Sequence, residues 1–104
     1  MSKMPEFKIE EYLQSDLELQ KEYLNQLLNM YIEDGNIEAF LSALKPIIKL
    51  HGSISEFAKK TGINRTYFYK LFKNEVTPEL PTIVLIIKNL GFDISFNLTK
   101  TLNW

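Results

Sequence analysis

Apolar side chains recur three and four residues apart along most of this chain, and every second residue briefly at Phe7 and Ile9 and again near its end. Leu17, Leu24, Leu27, Leu28, Tyr31 and Ile32 share one helical face. In Ser15-Asp16-Leu17-Glu18 the serine hydroxyl can accept from an orphan N–H while Glu18 reaches back, a capping box that predicts the helix start. Asp34-Gly35 predicts its end, glycine supplying the left-handed stop. Asn36 is suited to cap the next helix. Ile37, Phe40, Leu41, Leu44, Ile47 and Ile48 keep one phase across Pro46. Proline lacks an N–H and clashes with the preceding turn, so a kink or break is expected at Lys45, with a second short helix ending at Gly52.

The stretch "SISEFAKKTGINRTYFYKLFK", residues 53–73, carries a second capping box, Ser53-Ile54-Ser55-Glu56. It predicts a short helix to Thr61, a turn at Gly62, and a helix capped by Asn64 that runs to about Lys73. Two helices joined by so short a turn must cross closely. Ala58 supplies the small residue at the crossing, and Gly62 supplies positive φ. Phe57, Ile63, Phe68 and Leu71 fall where a helix-turn-helix buries its core. Residues 74–80 read as a loop. Pro81 suits a first helical turn, and Ile83, Ile86, Ile87 and Leu90 place one more helix before Gly91. Residues 92–98 then alternate, with Phe92, Ile94, Phe96 and Leu98 on one face and Asp93, Ser95 and Asn97 on the other, the pattern of a strand.

These elements define the expected fold. It is an all-α class of five or six helices, with a helix-turn-helix at 53–73 and a C-terminal β-strand at 92–98 used for dimerisation. Residues 1–14 read as an N-terminal arm and 15–104 as one helical domain. A lone strand leaves backbone groups and large apolar side chains unpaired. The expectation is therefore a homodimer joined by antiparallel pairing through Phe92, Ile94, Phe96 and Leu98. Pairing with "EFKI" near the N-terminus is the alternative.

Length and composition add limits. With 104 residues, a single domain is expected. There is no cysteine, so disulfides and thiolate metal sites are excluded. The N-terminal residues have no apolar h-region and the longest apolar run, "IVLII", is far too short to span a membrane. A cytoplasmic protein without membrane contact is expected. The net charge of −1 conceals an asymmetry. Residues 1–34 hold eight acids against three lysines, a net of −5, whereas residues 45–73 hold seven bases against Glu56, a net of +6. Such halves suit two partners of opposite charge.

The basic half coincides with the helix-turn-helix. In such motifs the second helix enters the major groove, and its N-terminal residues meet base edges. The expected DNA-binding residues are Lys59, Lys60, Asn64, Arg65, Thr66, Tyr67, Tyr69, Lys70 and Lys73. Arg65, the only arginine, can fork onto guanine or clamp a phosphate. The lysines suit phosphates, which position a protein without specifying sequence. Tyr67 and Tyr69 can bond a phosphate, touch a thymine methyl, or pack between helices. The competing class is a protein-interaction module in which the motif is only architecture; a +6 stretch centred on the motif speaks against it. Catalysis is not expected. His51 is the single histidine, there is no glycine-rich phosphate loop, and no zinc set can be assembled. Pairs such as Glu10-Glu11 and Glu33-Asp34 read as exposed helix ends. No cofactor and no metal are expected.

From Phe7 to Leu98 the chain resembles the addiction-module antidote family, HigA-like antitoxins with an XRE-type, lambda-repressor-like helix-turn-helix. The residues that carry the resemblance are "EEYLQS" at 10–15, "YIEDGNIEAFLSAL" at 31–44, "SISEFAKKTGINRTYFYKLF" at 53–72, "TPELPTI" at 77–83 and "IIKNLGFDISF" at 86–96. The resemblance implies a homodimer that represses its own operon at operator DNA and neutralises a RelE/ParE-type toxin encoded beside it. Such a toxin is expected to be basic and to meet the acidic half, where Leu19, Tyr23 and Met30 are apolar contacts to consider. Pro46 lies inside what is usually one helix of the family. Asn64 and Thr66 stand where serine and an acid are more usual, which bears on the operator sequence.

Overall fold

A computed structural model of the chain describes residues 16–101. The expected N-terminal arm, Ser15 and the "EFKI" segment lie outside the described residues. Five helices follow in order: α1 (Leu17–Asp34), α2 (Ile37–Lys49), α3 (Ile54–Thr61), α4 (Arg65–Phe72) and α5 (Leu80–Asn89).

The ends of α1 and α2 obey local chemistry. Asp16 caps α1, its carboxylate accepting from the Leu19 N–H at 3.0 Å. Gly35, at φ 66°, stops the helix with its N–H on the Tyr31 carbonyl. Asn36 then caps α2, accepting from the Ala39 N–H at 3.0 Å, while its own N–H donates to the Asp34 carboxylate at 2.8 Å.

Helix α2 forms the centre of the molecule. It packs against α1 on one side and α3 and α4 on the other, and α5 packs against α3. Leu44, Ile47 and Ile48 of α2 are almost wholly buried with Phe57, Phe68, Leu71, Ile86 and Leu90. Pro46 does not break α2, and no second short helix follows it. The proline removes only the bond to the Ser42 carbonyl. Ser42 is exposed, so water can satisfy that oxygen, and the buried residues on both sides of Pro46 hold the helix in one piece.

The tail departs from its expected form. Among the described residues there is no β-strand, so dimerisation through a strand at 92–98 falls away, while the all-α class stands. The physical reason is tertiary. A strand needs a ladder partner, and this run instead finds helices to pack on. Phe92 and Ile94 are half-buried between α1 and α5, in a cleft that Leu24, Leu28 and Ile87 also line. Phe96 and Leu98 are exposed. The four residues expected to make one dimer interface therefore divide into two that are half-buried within the chain and two that are exposed.

Candidate nucleic-acid interface

The geometry of α3 and α4 is set by two caps and one glycine. Ser53 Oγ accepts from the Glu56 N–H at 3.0 Å, and the Glu56 carboxylate accepts from the Ser53 N–H at 3.3 Å, completing the capping box read from the sequence. Gly62 ends α3 at φ 79°. A Cβ built there would meet nothing within 4 Å, so the position needs glycine for its backbone angle and not for space. Asn64 caps α4, accepting from the Tyr67 N–H at 3.1 Å.

The turn between the helices has one further fastening. Thr61 is buried, and its hydroxyl donates to the Ala58 carbonyl at 2.8 Å while accepting from the Ile63 N–H at 3.1 Å. It satisfies one group at the end of α3 and one inside the turn. Sequence reasoning missed it, because a threonine before a glycine is an ordinary helix end. The two helices are then clamped through aromatic rings. Phe57 and Phe68 lie 5.9 Å apart centre to centre, and Phe68 and Phe72 lie 5.2 Å apart. Ala58 is buried as the close crossing requires.

Burying Phe68 and Leu71 leaves the opposite face of α4 outward. Arg65, Thr66, Tyr69, Lys70 and Lys73 are exposed there, with Asn64 at the helix start and Lys59 on α3. The Arg65 guanidinium lies 5.6 Å from the centre of the Tyr69 ring, a cation–π contact one turn along the helix. Among the described residues the ion pair is Lys21 with Glu18 on α1, so no described carboxylate pairs with Lys59, Arg65, Lys70 or Lys73.

Two expected DNA-binding residues are otherwise engaged. Tyr67 is half-buried against the core. Lys60 donates from Nζ to the Asn89 carbonyl at 3.0 Å, fastening α3 to the C-terminal end of α5, where a cation also suits the helix dipole. His51 stands beside this unit, its ring 6.1 Å from that of Phe57. Partial burial, and then the Lys60 charge, hold its pKa below the ordinary imidazole value.

On the acidic side, Leu19 and Tyr23 are half-buried in the core, and the Tyr23 hydroxyl donates to the Ala43 carbonyl at 3.3 Å. Of the three apolar contacts weighed for a toxin, Met30 alone is exposed. Among the described residues no cluster of acids and histidine could hold a metal ion, and no helix is long and apolar enough to cross a membrane.

Residues 3–98 match the profile of a protein family described as "Probable addiction module antidote protein". The chain is also similar to a Haemophilus influenzae protein described as "Uncharacterized protein". The two are 33% identical over 93 residues, 88% of this chain and 90% of the other. No solved structure matches the chain significantly.

Proposed function

The chain belongs to the addiction module antidote family, an antitoxin with a toxin for a partner, and we propose that it also represses its own operon by binding operator DNA through α3 and α4. It acts by binding and not by catalysis. The toxin it neutralises is of the RelE/ParE type. The protein binds its operator as a homodimer, which sets two copies of α4 in successive major grooves about 34 Å apart.

The observation that carries this reading is the outward face of α4. Arg65, Lys70 and Lys73 stand there with Lys59, none of them in an ion pair with a described carboxylate, on a helix fixed from behind by Phe68 and Leu71. Uncompensated cations on a rigid helix suit phosphates, and an arginine at the helix start suits a guanine edge. Asn64, Thr66 and Tyr69 complete the face. Lys60 and Tyr67 take structural duties and contribute less.

The test is a salt titration of binding to the DNA upstream of the gene. Arg65→Ala should weaken binding by about 1–3 kcal/mol and relax specificity at one base pair. Lys59→Ala and Lys73→Ala should weaken binding to all sequences and lower the salt slope by about one unit per lost phosphate contact. Wild type that fails to bind this DNA at low salt, with or without toxin, ends the repressor reading and leaves α3 and α4 as architecture.

A further inference from the structure

One concave region of the surface is apolar and has no helix or segment of residues 16–101 over it. Ile32 of α1, Leu80 of α5 and Phe96 of the tail are 75%, 56% and 65% exposed. They surround a single groove of about 250 Å³ whose lining includes the buried side chains of Phe40 and Ile83. Met30 lies exposed in the shallow cleft beside it, which shares Ile32. Scattered apolar residues on a surface are ordinary, but a contiguous set around a concavity marks an interaction site. No residue of α3 or α4 lines this groove.

The charge beside the groove states what kind of partner fits. Glu33 follows Ile32, Glu79 precedes Leu80 and Asp93 precedes Ile94; all three carboxylates are exposed, and none is in an ion pair with a described residue. No described charged residue lines the groove itself; Glu33 lines the cleft on one side of it, and Asp93 lines the cleft on the other with Lys21, whose charge is paired with Glu18. A second copy docking here about a two-fold axis would bring each carboxylate opposite the same set, and like charges across an interface are strongly unfavourable. A basic protein meets the same rim with opposite charge.

We propose that this groove is where the toxin docks: a basic protein that inserts an apolar side chain among Ile32, Leu80 and Phe96 while its cations meet Glu33 and Glu79. The inference rests on the antitoxin reading and adds the surface to it. Because the surface is separate from α3 and α4, toxin and DNA can be held at once.

The probe is the purified product of the reading frame beside this gene, titrated against the full-length chain. Ile32→Ala combined with Phe96→Ala should raise Kd roughly tenfold or more, mainly through faster dissociation, since buried apolar anchors dominate such interfaces. Glu33→Lys combined with Glu79→Lys should slow association at low salt, with a smaller difference at high salt. Arg65→Ala should bind the probe as wild type does. Wild-type affinity in both double variants overturns the groove as the site while the antitoxin reading stands. A wild-type chain that does not bind the probe at all ends the antitoxin reading, and the docking site with it. Two measurements on the isolated chain expose the other occupants. Sedimentation showing a dimer that Ile32→Ala with Phe96→Ala converts to monomer would assign the groove to a second copy. A fall of several degrees in melting temperature for that variant would assign it to another part of the same chain. Either result overturns the proposal.

Discussion

Phe68→Ala should remove about 3–5 kcal/mol of stability, because the ring it deletes holds α4 against α3. Phe68 is fully buried. Withdrawing a buried phenylalanine side chain from its apolar surroundings forfeits about 1.5–3 kcal/mol of transfer free energy. The cavity left behind adds about 24 cal/mol for each Å³ that neighbours do not refill. The ring also contacts Phe57 at 5.9 Å and Phe72 at 5.2 Å, and each such pair is worth about 0.5–1.5 kcal/mol beyond its buried area. Phe57 is itself fully buried and has little freedom to collapse into the space, whereas Phe72 is half-buried and can move. The total is a large part of the roughly 5–15 kcal/mol that stabilises a domain of this size. Urea unfolding followed by circular dichroism should show a lower midpoint with an unchanged m-value, and the melting temperature should fall by at least about 12 °C. Phe72→Ala should lose clearly less. A loss below about 1 kcal/mol for Phe68→Ala would refute the packing of α4 on α3. Arg65 and Lys73 would then have no fixed outward face.

Asn64→Ala removes the cap of α4 and should lower stability by about 1 kcal/mol, read as a shift in urea midpoint, with Asn64→Asp retaining most of it. Tyr69→Ala frees the Arg65 guanidinium and should weaken operator binding by about 0.5–1 kcal/mol, while Tyr69→Phe, which keeps the ring, should retain the affinity. His51 should make stability depend on pH. Its folded pKa lies below its unfolded value of about 6.5, so the unfolded chain binds more protons. The contribution is complete above about pH 6.5 and is lost as pH falls through the folded pKa. Urea midpoints at pH 7.5 and pH 5 should therefore differ more for wild type than for His51→Gln.

Where neighbours in the chain decide the outcome, the sequence by itself determined it. The box Ser53-Ile54-Ser55-Glu56, the cap at Asn36 and the stops at Gly35 and Gly62 are chemistry within three or four residues. The structure places them where the spacing does. Periodicity likewise named the buried faces of α2 and α5, since a helix repeats every 3.6 residues whatever it packs on. The outward set on α4 was legible for the same reason, as the face opposite Phe68 and Leu71.

Only the tertiary structure decided the rest. Alternation at 92–98 is the signature of a strand, yet a strand exists only with a ladder partner, and partners are chosen in space. Here α1 and α5 offer apolar surface to Phe92 and Ile94, so the run packs against helices instead. Pro46 was a local breaker that the buried flanks Leu44, Ile47 and Ile48 override. Lys60 and Tyr67 carry the right chemistry for DNA in the sequence. Their engagement with Asn89 and with the core depends on contacts between elements far apart in the chain. The groove among Ile32, Leu80 and Phe96 is the extreme case. Its walls come from four separate segments, and no spacing rule connects residues that only folding brings together.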